Sequence, residues 1–361
     1  MAQLAFYPLT VSDIRRETTQ CVSVALHIPD ELREVFRYEA GQYITFRFTH
    51  EGEELRRSYS LCSSPLENDF RVAIKQIHEG RFSTYANQQL KVGDTLEVMP
   101  PMGNFTTTFQ PGQKRHYMAF VAGSGVTPVM SLIKTALQTE PESSFTLVYG
   151  NQTFYSIIFR EEIEALKNRY MGRLQVIHVL SRERTEAELN HGRIDAGKCG
   201  QLFQRLIDLK DVDQYFLCGP EEMILGVKAW LGEQGVEAGK IRFELFTTQS
   251  GQKAGEAYKE AHAADATKMS TVTIKVDDRS MDIPLAFGGE TILDAALKAG
   301  ADLPFACKGG VCCTCRAKVV EGTVEMEVNY ALEPDEVANG FVLTCQAHPT
   351  SERVVIDFDA R

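Results

Sequence analysis

The sequence predicts a multidomain chain of three unlike parts: an antiparallel β-barrel, an α/β domain on a parallel sheet, and a compact α+β domain. Three observations carry that expectation. Residues 1–113 alternate polar and apolar in short runs, residues 114–246 repeat an apolar strand followed by an amphipathic helix, and five of the nine cysteines fall at positions 307–345. A length of 361 residues allows two or three domains, each with its own core. With 43% apolar and 24% charged residues, the composition excludes collagen-like, coiled-coil and disordered chains. The 38 Lys and Arg against 49 Asp and Glu give a net charge of −11, which argues against nucleic acid as a partner. The opening MAQLAFYPLT has no basic stretch followed by an apolar core, so no export signal is expected. The most apolar span, Tyr117 to Ile133, is broken by Gly123, Ser124, Gly125, Thr127 and Pro128, so no membrane helix is expected either. A reducing, cytoplasmic compartment follows, in which clustered cysteines bind metal before they form disulfides.

In residues 1–113 the expected strands are Tyr43–His50, Leu55–Cys62, Phe70–Ile77 and Thr95–Met99, with one helix near Phe82–Leu90. In residues 114–246 they are Tyr117–Ala122, Phe145–Tyr149, Leu174–Leu180, Gln214–Cys218 and Ile241–Phe246. Helices over Pro128–Gln138, Phe159–Asn168 and Glu221–Gly232 lie between them. Such βα repeats imply a parallel sheet whose ligand sits beyond the carboxyl ends of its strands. Residues 247–268 are poor in large apolar side chains and read as a linker. The last domain, 269–361, begins with a hairpin (Val272–Val276, Met281–Leu285), continues with a helix (Thr291–Ala299) and ends on a strand (Arg353–Phe358).

Cys307, Cys312 and Cys315 are spaced C-x4-C-x2-C, with Cys345 as a remote fourth, which is the plant-type spacing for a [2Fe–2S] cluster. A tight loop must wrap the cluster and turn amides toward its sulfurs, and Gly309 and Gly310 permit that backbone. Cys313 breaks the frame and is expected not to be a ligand. The alternative is a structural zinc held by four thiolates, although zinc sites usually pair two short hairpins. The surrounding LDAALKAGADLPFACKGGVCCTCRAKVVEG and FVLTCQA resemble plant-type ferredoxins, which implies a β-grasp-like domain.

No G-x-G-x-x-G opens the chain, so a dinucleotide fold at the N-terminus is excluded. Arg57-Ser58-Tyr59-Ser60 instead matches R-x-Y-[ST] and resembles the flavin signature of the ferredoxin–NADP reductase superfamily. An arginine suits a pyrophosphate because its fork donates paired bonds without losing charge. Tyr59 offers a flat face for the flavin ring, and the Ser60 hydroxyl can bond its N5. Ser60 shares the flavin with Arg57 and Tyr59 only if the strand ends or twists there. Gly80-Arg81-Phe82-Ser83 resembles the superfamily's phosphate loop, with Gly80 and Ser83 at a helix N-terminus. Pro101-Met102-Gly103-Asn104-Phe105 resembles the segment that ends its barrel. Together these imply FAD. Arg56, outside the frame, is expected to be a surface charge.

Gly123-Ser124-Gly125-Val126-Thr127-Pro128 follows an apolar strand and opens a helix, so its amides can approach a second pyrophosphate. It resembles the superfamily's nicotinamide dinucleotide loop, whose companion here is Cys218-Gly219-Pro220. The resemblance implies that Cys218 lies beside the nicotinamide; a buried structural thiol is the alternative. Ser181-Arg182 stands where an acidic residue would bond the ribose of NADH, and suits the 2′-phosphate of NADPH instead. Phe246 falls where the superfamily covers its flavin, and a core aromatic is nearly as compatible. Tyr59, Ser60 and Cys218 are thus the candidates beside the reacting rings.

Barrel, nucleotide domain, linker and ferredoxin in one chain imply a reductase that takes hydride from NADPH and passes electrons singly. Further stretches, among them GEELRRSYSLC and NYALEPDEVANGFVLTCQA, resemble reductases of multicomponent di-iron epoxidases. The implied partners are the oxygenase subunits of such a complex; a Rieske-type hydroxylase is the alternative acceptor. Residues 269–361 carry 15 acidic against 8 basic residues, and Glu321, Glu325, Glu327, Glu333, Asp335 and Glu336 are expected to form an acidic docking face.

Overall fold

The structure is a computed structural model that describes residues 5–246, 258, 260–262, 267–277 and 279–360. The chain divides into two compact units, Met1–Leu245 and Phe246–Arg361.

The first unit opens with six strands: β1 (Tyr7–Thr18), β2 (Cys21–His27), β3 (Tyr43–His50), β4 (Glu53–Ser60), β5 (Arg71–Lys75) and β6 (Thr95–Met102). They pair antiparallel in the order β4-β3-β6-β1-β2-β5. The two edges meet, because Leu61 bridges Val72 and the Cys62 amide donates to the Arg71 carbonyl at 2.9 Å. That contact curls the sheet into the expected barrel around Leu9, Val24, Ile44, Phe46, Val72 and Val98. Neither β1 nor β2 is expected from the sequence. In β2 every residue from Cys21 to Leu26 is buried, so no alternation is left to read.

Helix α1 (Arg81–Gln88) crosses one end of the barrel, and five strands then build the second half of the unit. These are β7 (His116–Ala122), β8 (Ser144–Asn151), β9 (Leu174–Leu180), β10 (Gln214–Cys218) and β11 (Ile241–Glu244). All pair parallel in the order β11-β10-β7-β8-β9. Helices α2 (Val126–Thr139), α3 (Arg160–Arg169), α4 (Ala196–Arg205) and α5 (Glu221–Glu233) cover the sheet. Helix α4 is unexpected, because Gly197 and Gly200 dilute its periodicity. Asp195 caps it by accepting from the Lys198 amide at 2.8 Å, and Cys199 and Leu202 anchor it in the core.

Helix α2 fixes the sheet to the barrel. The Ser131 hydroxyl donates to the Ser63 carbonyl at 2.6 Å, and the Ser64 and Thr135 hydroxyls share a bond of 2.8 Å. Lys134, almost buried, pairs with Glu162 at 2.5 Å and Glu67 at 3.4 Å. The barrel and sheet share one apolar core in which Phe105 meets Phe216 edge to face. The junction of barrel and sheet is therefore packed from both sides.

The second unit holds β12 (Met269–Val276), β13 (Arg279–Ala286), α6 (Ile292–Lys298), β14 (Arg316–Glu321), β15 (Val324–Met326), α7 (Pro334–Ala338), β16 (Phe341–Leu343), β17 (Ala347–Pro349) and β18 (Arg353–Asp357). Its main sheet runs β13-β12-β18-β14-β16, with β12 and β18 parallel and the other neighbours antiparallel. A mixed sheet with α6 packed on it matches the expected α+β domain. Most of the stretch read as a linker lies outside the described residues. Tyr258, however, is helical and buried, stacked on His262 at 4.1 Å and His348 at 4.3 Å. One large aromatic gives this stretch a packing partner that its bulk composition hides.

Candidate active site and metal centre

Strand β4 ends at Ser60, the condition under which Ser60 can share a site with Tyr59 and Arg57. Arg57 is exposed, and its guanidinium donates to the Arg56 carbonyl at 2.7 Å. Tyr59 is half-buried against Phe46 and Phe82, and burial pushes its phenol up. Arg56 is not the expected surface charge. It is 7% exposed, pairs with Glu54 at 2.8 Å and lies over the Phe6 ring at 5.0 Å. Its long stem is covered and its charge matched, which the residue type alone did not reveal.

Gly80 precedes α1, whose N-terminus has no side-chain cap, so its first-turn amides are available to an anion. The Ser83 hydroxyl is buried and engaged in the loop itself: it accepts from the Ile77 amide at 3.3 Å and donates to the Gly80 carbonyl at 3.1 Å. A Cβ at Gly80 would stand 2.4 Å from both Ile77 Cγ1 and Ser83 Oγ. Ser83 therefore shapes this loop from within.

The two loops of the parallel sheet lock together. A Cβ on Gly125 would lie 2.2 Å from the Cys218 carbonyl oxygen, so only glycine lets the two backbones touch. Gly123 turns with φ +55, and the Lys75 ammonium stands 3.5 Å from where its Cβ would be. Thr127 is buried and donates to the Ser124 carbonyl at 2.9 Å, and Pro128 lies in the first turn of α2. Gly219 and Pro220 carry the chain from β10 into α5.

Cys218 is fully buried, and burial followed by the charge of Glu244 pushes its thiol well up. Glu244 is its direct neighbour in the β10–β11 register. The Glu244 carboxyl is pushed up to about 8 by burial, partly offset by the bond it accepts from Ser60 at 3.1 Å. Three residues from three strands thus meet at the carboxyl end of the sheet. Sequence reasoning missed Glu244; the available signal was an acidic residue inside an apolar strand ending at the same edge. Phe246 is 37% exposed.

After β9, Ser181 donates its amide to the Asn151 carbonyl at 2.9 Å and Arg182 its amide to the Gln152 carbonyl at 2.8 Å. The Arg182 side chain is exposed.

In the second unit the four framed thiols come together. Cys312 Sγ lies 3.0 Å from Cys307 Sγ, Cys307 adjoins Cys345, and Cys345 adjoins Cys315. Neighbouring thiols, Cys307 with Cys312 and Cys315 with Cys345, offer the four-sulfur donor set that a [2Fe–2S] cluster takes. The Gly309 amide donates to Cys307 Sγ at 3.3 Å and Gln346 Nε2 approaches Cys345 Sγ at 3.7 Å, so the loop offers N–H groups to the sulfurs. Gly310 takes φ +72, and a Cβ there would meet Val328 at 2.9 Å. The Cys313 thiol turns away, toward the Ala331 carbonyl at 3.4 Å. The residues fit a [2Fe–2S] cluster.

The expected acidic face is reduced. Glu327 is half-buried and accepts from His348 Nε2 at 2.8 Å, Glu336 pairs with Arg316, and Glu333 caps α7. Glu321, Glu325 and Asp335 remain exposed.

This arrangement defines the class: a flavin- and nicotinamide-dependent electron-transfer reductase with its own iron–sulfur domain. The family models agree in order, with an oxidoreductase FAD-binding domain over residues 8–107, an oxidoreductase NAD-binding domain over 120–229 and a 2Fe–2S iron–sulfur cluster binding domain over 274–350. The chain belongs to the ferredoxin reductase-like family that joins these three domains. It is 44% identical to a subunit of the 1,2-phenylacetyl-CoA epoxidase of Escherichia coli K12, over 99% of this chain and 98% of that one. It is 34% identical to the ferredoxin reductase component of 3-ketosteroid-9-alpha-monooxygenase from Rhodococcus rhodochrous, over 97% and 96%. Among solved structures, phthalate dioxygenase reductase shares the fold at a TM-score of 0.59 and 20% identity, each chain covered to 98%. No helix among the described residues is long and apolar enough to cross a membrane.

Proposed function

We propose that this reductase draws hydride from NADPH and delivers electrons to the di-iron oxygenase subunits of a complex that epoxidises phenylacetyl-CoA. The observation that carries the reading is the 44% identity, over nearly the whole of both chains, with a component of the Escherichia coli phenylacetyl-CoA epoxidase. When bound, FAD accepts a hydride and the cluster takes single electrons. The chain's own residues do the rest. Arg57 and the uncapped start of α1 hold the FAD pyrophosphate, Tyr59 supports the ring and Ser60 faces it. Gly123, Gly125, Thr127 and Pro128 shape the cradle for the nicotinamide dinucleotide, and Cys218-Gly219-Pro220 borders the nicotinamide. Ser181 and Arg182 take the 2′-phosphate, which favours NADPH over NADH. Phe246 covers the flavin. Glu244, held by Ser60, supplies a buried proton-binding group where charge changes during hydride transfer. Cys307, Cys312, Cys315 and Cys345 ligate the cluster. A reducing, cytoplasmic compartment is part of this proposal.

The test is reconstitution with purified oxygenase subunits of the epoxidase. NADPH-dependent consumption of phenylacetyl-CoA is the expected result; electron delivery only to a Rieske-type hydroxylase would replace the proposed acceptor.

A further inference from the structure

The turn that follows β8 displays two consecutive aromatic side chains that the core does not use. Phe154 is 47% and Tyr155 79% exposed, while Ile157, Ile158 and Phe159 just after them are buried. The turn is nonetheless rigid. The Thr153 amide donates to Ser156 Oγ at 3.0 Å, and the Phe154 amide donates to Glu183 Oε2 at 2.8 Å. With the Ser181 and Arg182 amides bonded to the Asn151 and Gln152 carbonyls, the turn is tied to the segment carrying Arg182 by three hydrogen bonds. Arg160 lies over one face of Phe154 at 4.5 Å, and Tyr155 meets Phe154 edge to face at 5.8 Å. Phe154 is thus a brace, and the Tyr155 ring beside it stays 79% exposed.

The sheet order says what could use such a ring. Cys218 ends β10, the glycine loop follows β7, the aromatic turn follows β8, and Arg182 follows β9; these strands are consecutive neighbours. From β10 to β9 is three interstrand steps, about 14 Å. A dinucleotide with its nicotinamide at Cys218 and its pyrophosphate at Gly123–Gly125 must carry its adenosine over β8 and β9. We propose that Tyr155, braced by Phe154, is the stacking platform for the adenine ring of the nicotinamide dinucleotide. This rests on the dinucleotide placement proposed above. A purine is a flat π-surface, and such stacking typically changes affinity by about tenfold when the aromatic is removed.

Stopped-flow reduction of the flavin in the full-length holoprotein tests this with three donors: NADPH, NADH and dihydronicotinamide mononucleotide, which lacks the adenosine. Tyr155→Ala should raise the apparent Kd for NADPH and for NADH about tenfold each and leave the mononucleotide and the limiting rate unchanged. Tyr155→Phe, which keeps the ring, should behave as wild type. Unchanged affinity for NADPH, a loss confined to NADPH, or an equal loss with the mononucleotide would each overturn the assignment. Failure of the 2′-phosphate reading is separate: it appears as Arg182→Ala weakening both dinucleotides alike.

Discussion

The Ser60 hydroxyl donates to Glu244 Oε2 at 3.1 Å across 184 residues of chain. It joins the last residue of a barrel strand to the last residue of the parallel sheet's edge strand. The bond lowers a carboxyl that burial has raised to about 8.

A group whose proton is held more tightly in the folded chain than at its ordinary value of 4.5 weakens the fold as it ionises. Stability attributable to Glu244 is therefore present at low pH and is lost as pH rises toward 8. Glu244→Gln should flatten that decline, and Ser60→Ala should move it to higher pH. Urea midpoints across the range check both, and superimposable profiles for wild type and Glu244→Gln would remove the carboxyl from the account.

Cys312→Ser and Cys313→Ser should behave oppositely. The first removes a sulfur in contact with Cys307, while the second removes a thiol turned to the Ala331 carbonyl. The visible spectrum should be lost or strongly bleached in the first variant and retained in the second.

Arg182→Ala should weaken NADPH by about ten- to a hundredfold and NADH little, since one charge-assisted bond contributes about 1.5–3 kcal/mol. Steady-state KM values with the two donors give the ratio.

How much of this was legible in the sequence depends on range. The cysteine frame lies within nine residues plus Cys345, and the glycine loop within six, so local spacing exposed both. β9 and β10 fall where the apolar runs place them. Glu244 showed only as an acidic residue in an apolar strand; its environment comes from register with Cys218 and from where β4 stops. Arg56 and Glu327 were misjudged for the same reason. Each charge is matched by a partner, Glu54 or His348, whose position only the fold fixes.

A chain ending at residue 250 should fold and reduce ferricyanide with NADPH, since the proposed flavin and nucleotide residues before Phe246 all lie in the first compact unit. It should give no oxygenase turnover. Full-rate turnover from that shortened chain would show that the cluster is not an obligatory relay.

Electrostatic steering toward a basic partner should depend on Glu321, Glu325 and Asp335, which are exposed. Their amide replacements should lower partner-coupled turnover at low salt and lessen its salt dependence, with a steering effect of up to about 10–1000-fold. Glu327→Gln should instead lower the thermal midpoint, because it disturbs the bond to the buried His348 ring.

The ring of Tyr258 against His348 has a practical meaning for exchanging modules between reductases. A transplanted ferredoxin cassette cut at Met269, where its first strand starts, would leave the His348 ring face bare and discard an aromatic that is 7% exposed in place. Hybrids joined upstream of Tyr258 carry their own seal with them. Those joined at the strand must borrow one from a foreign sequence.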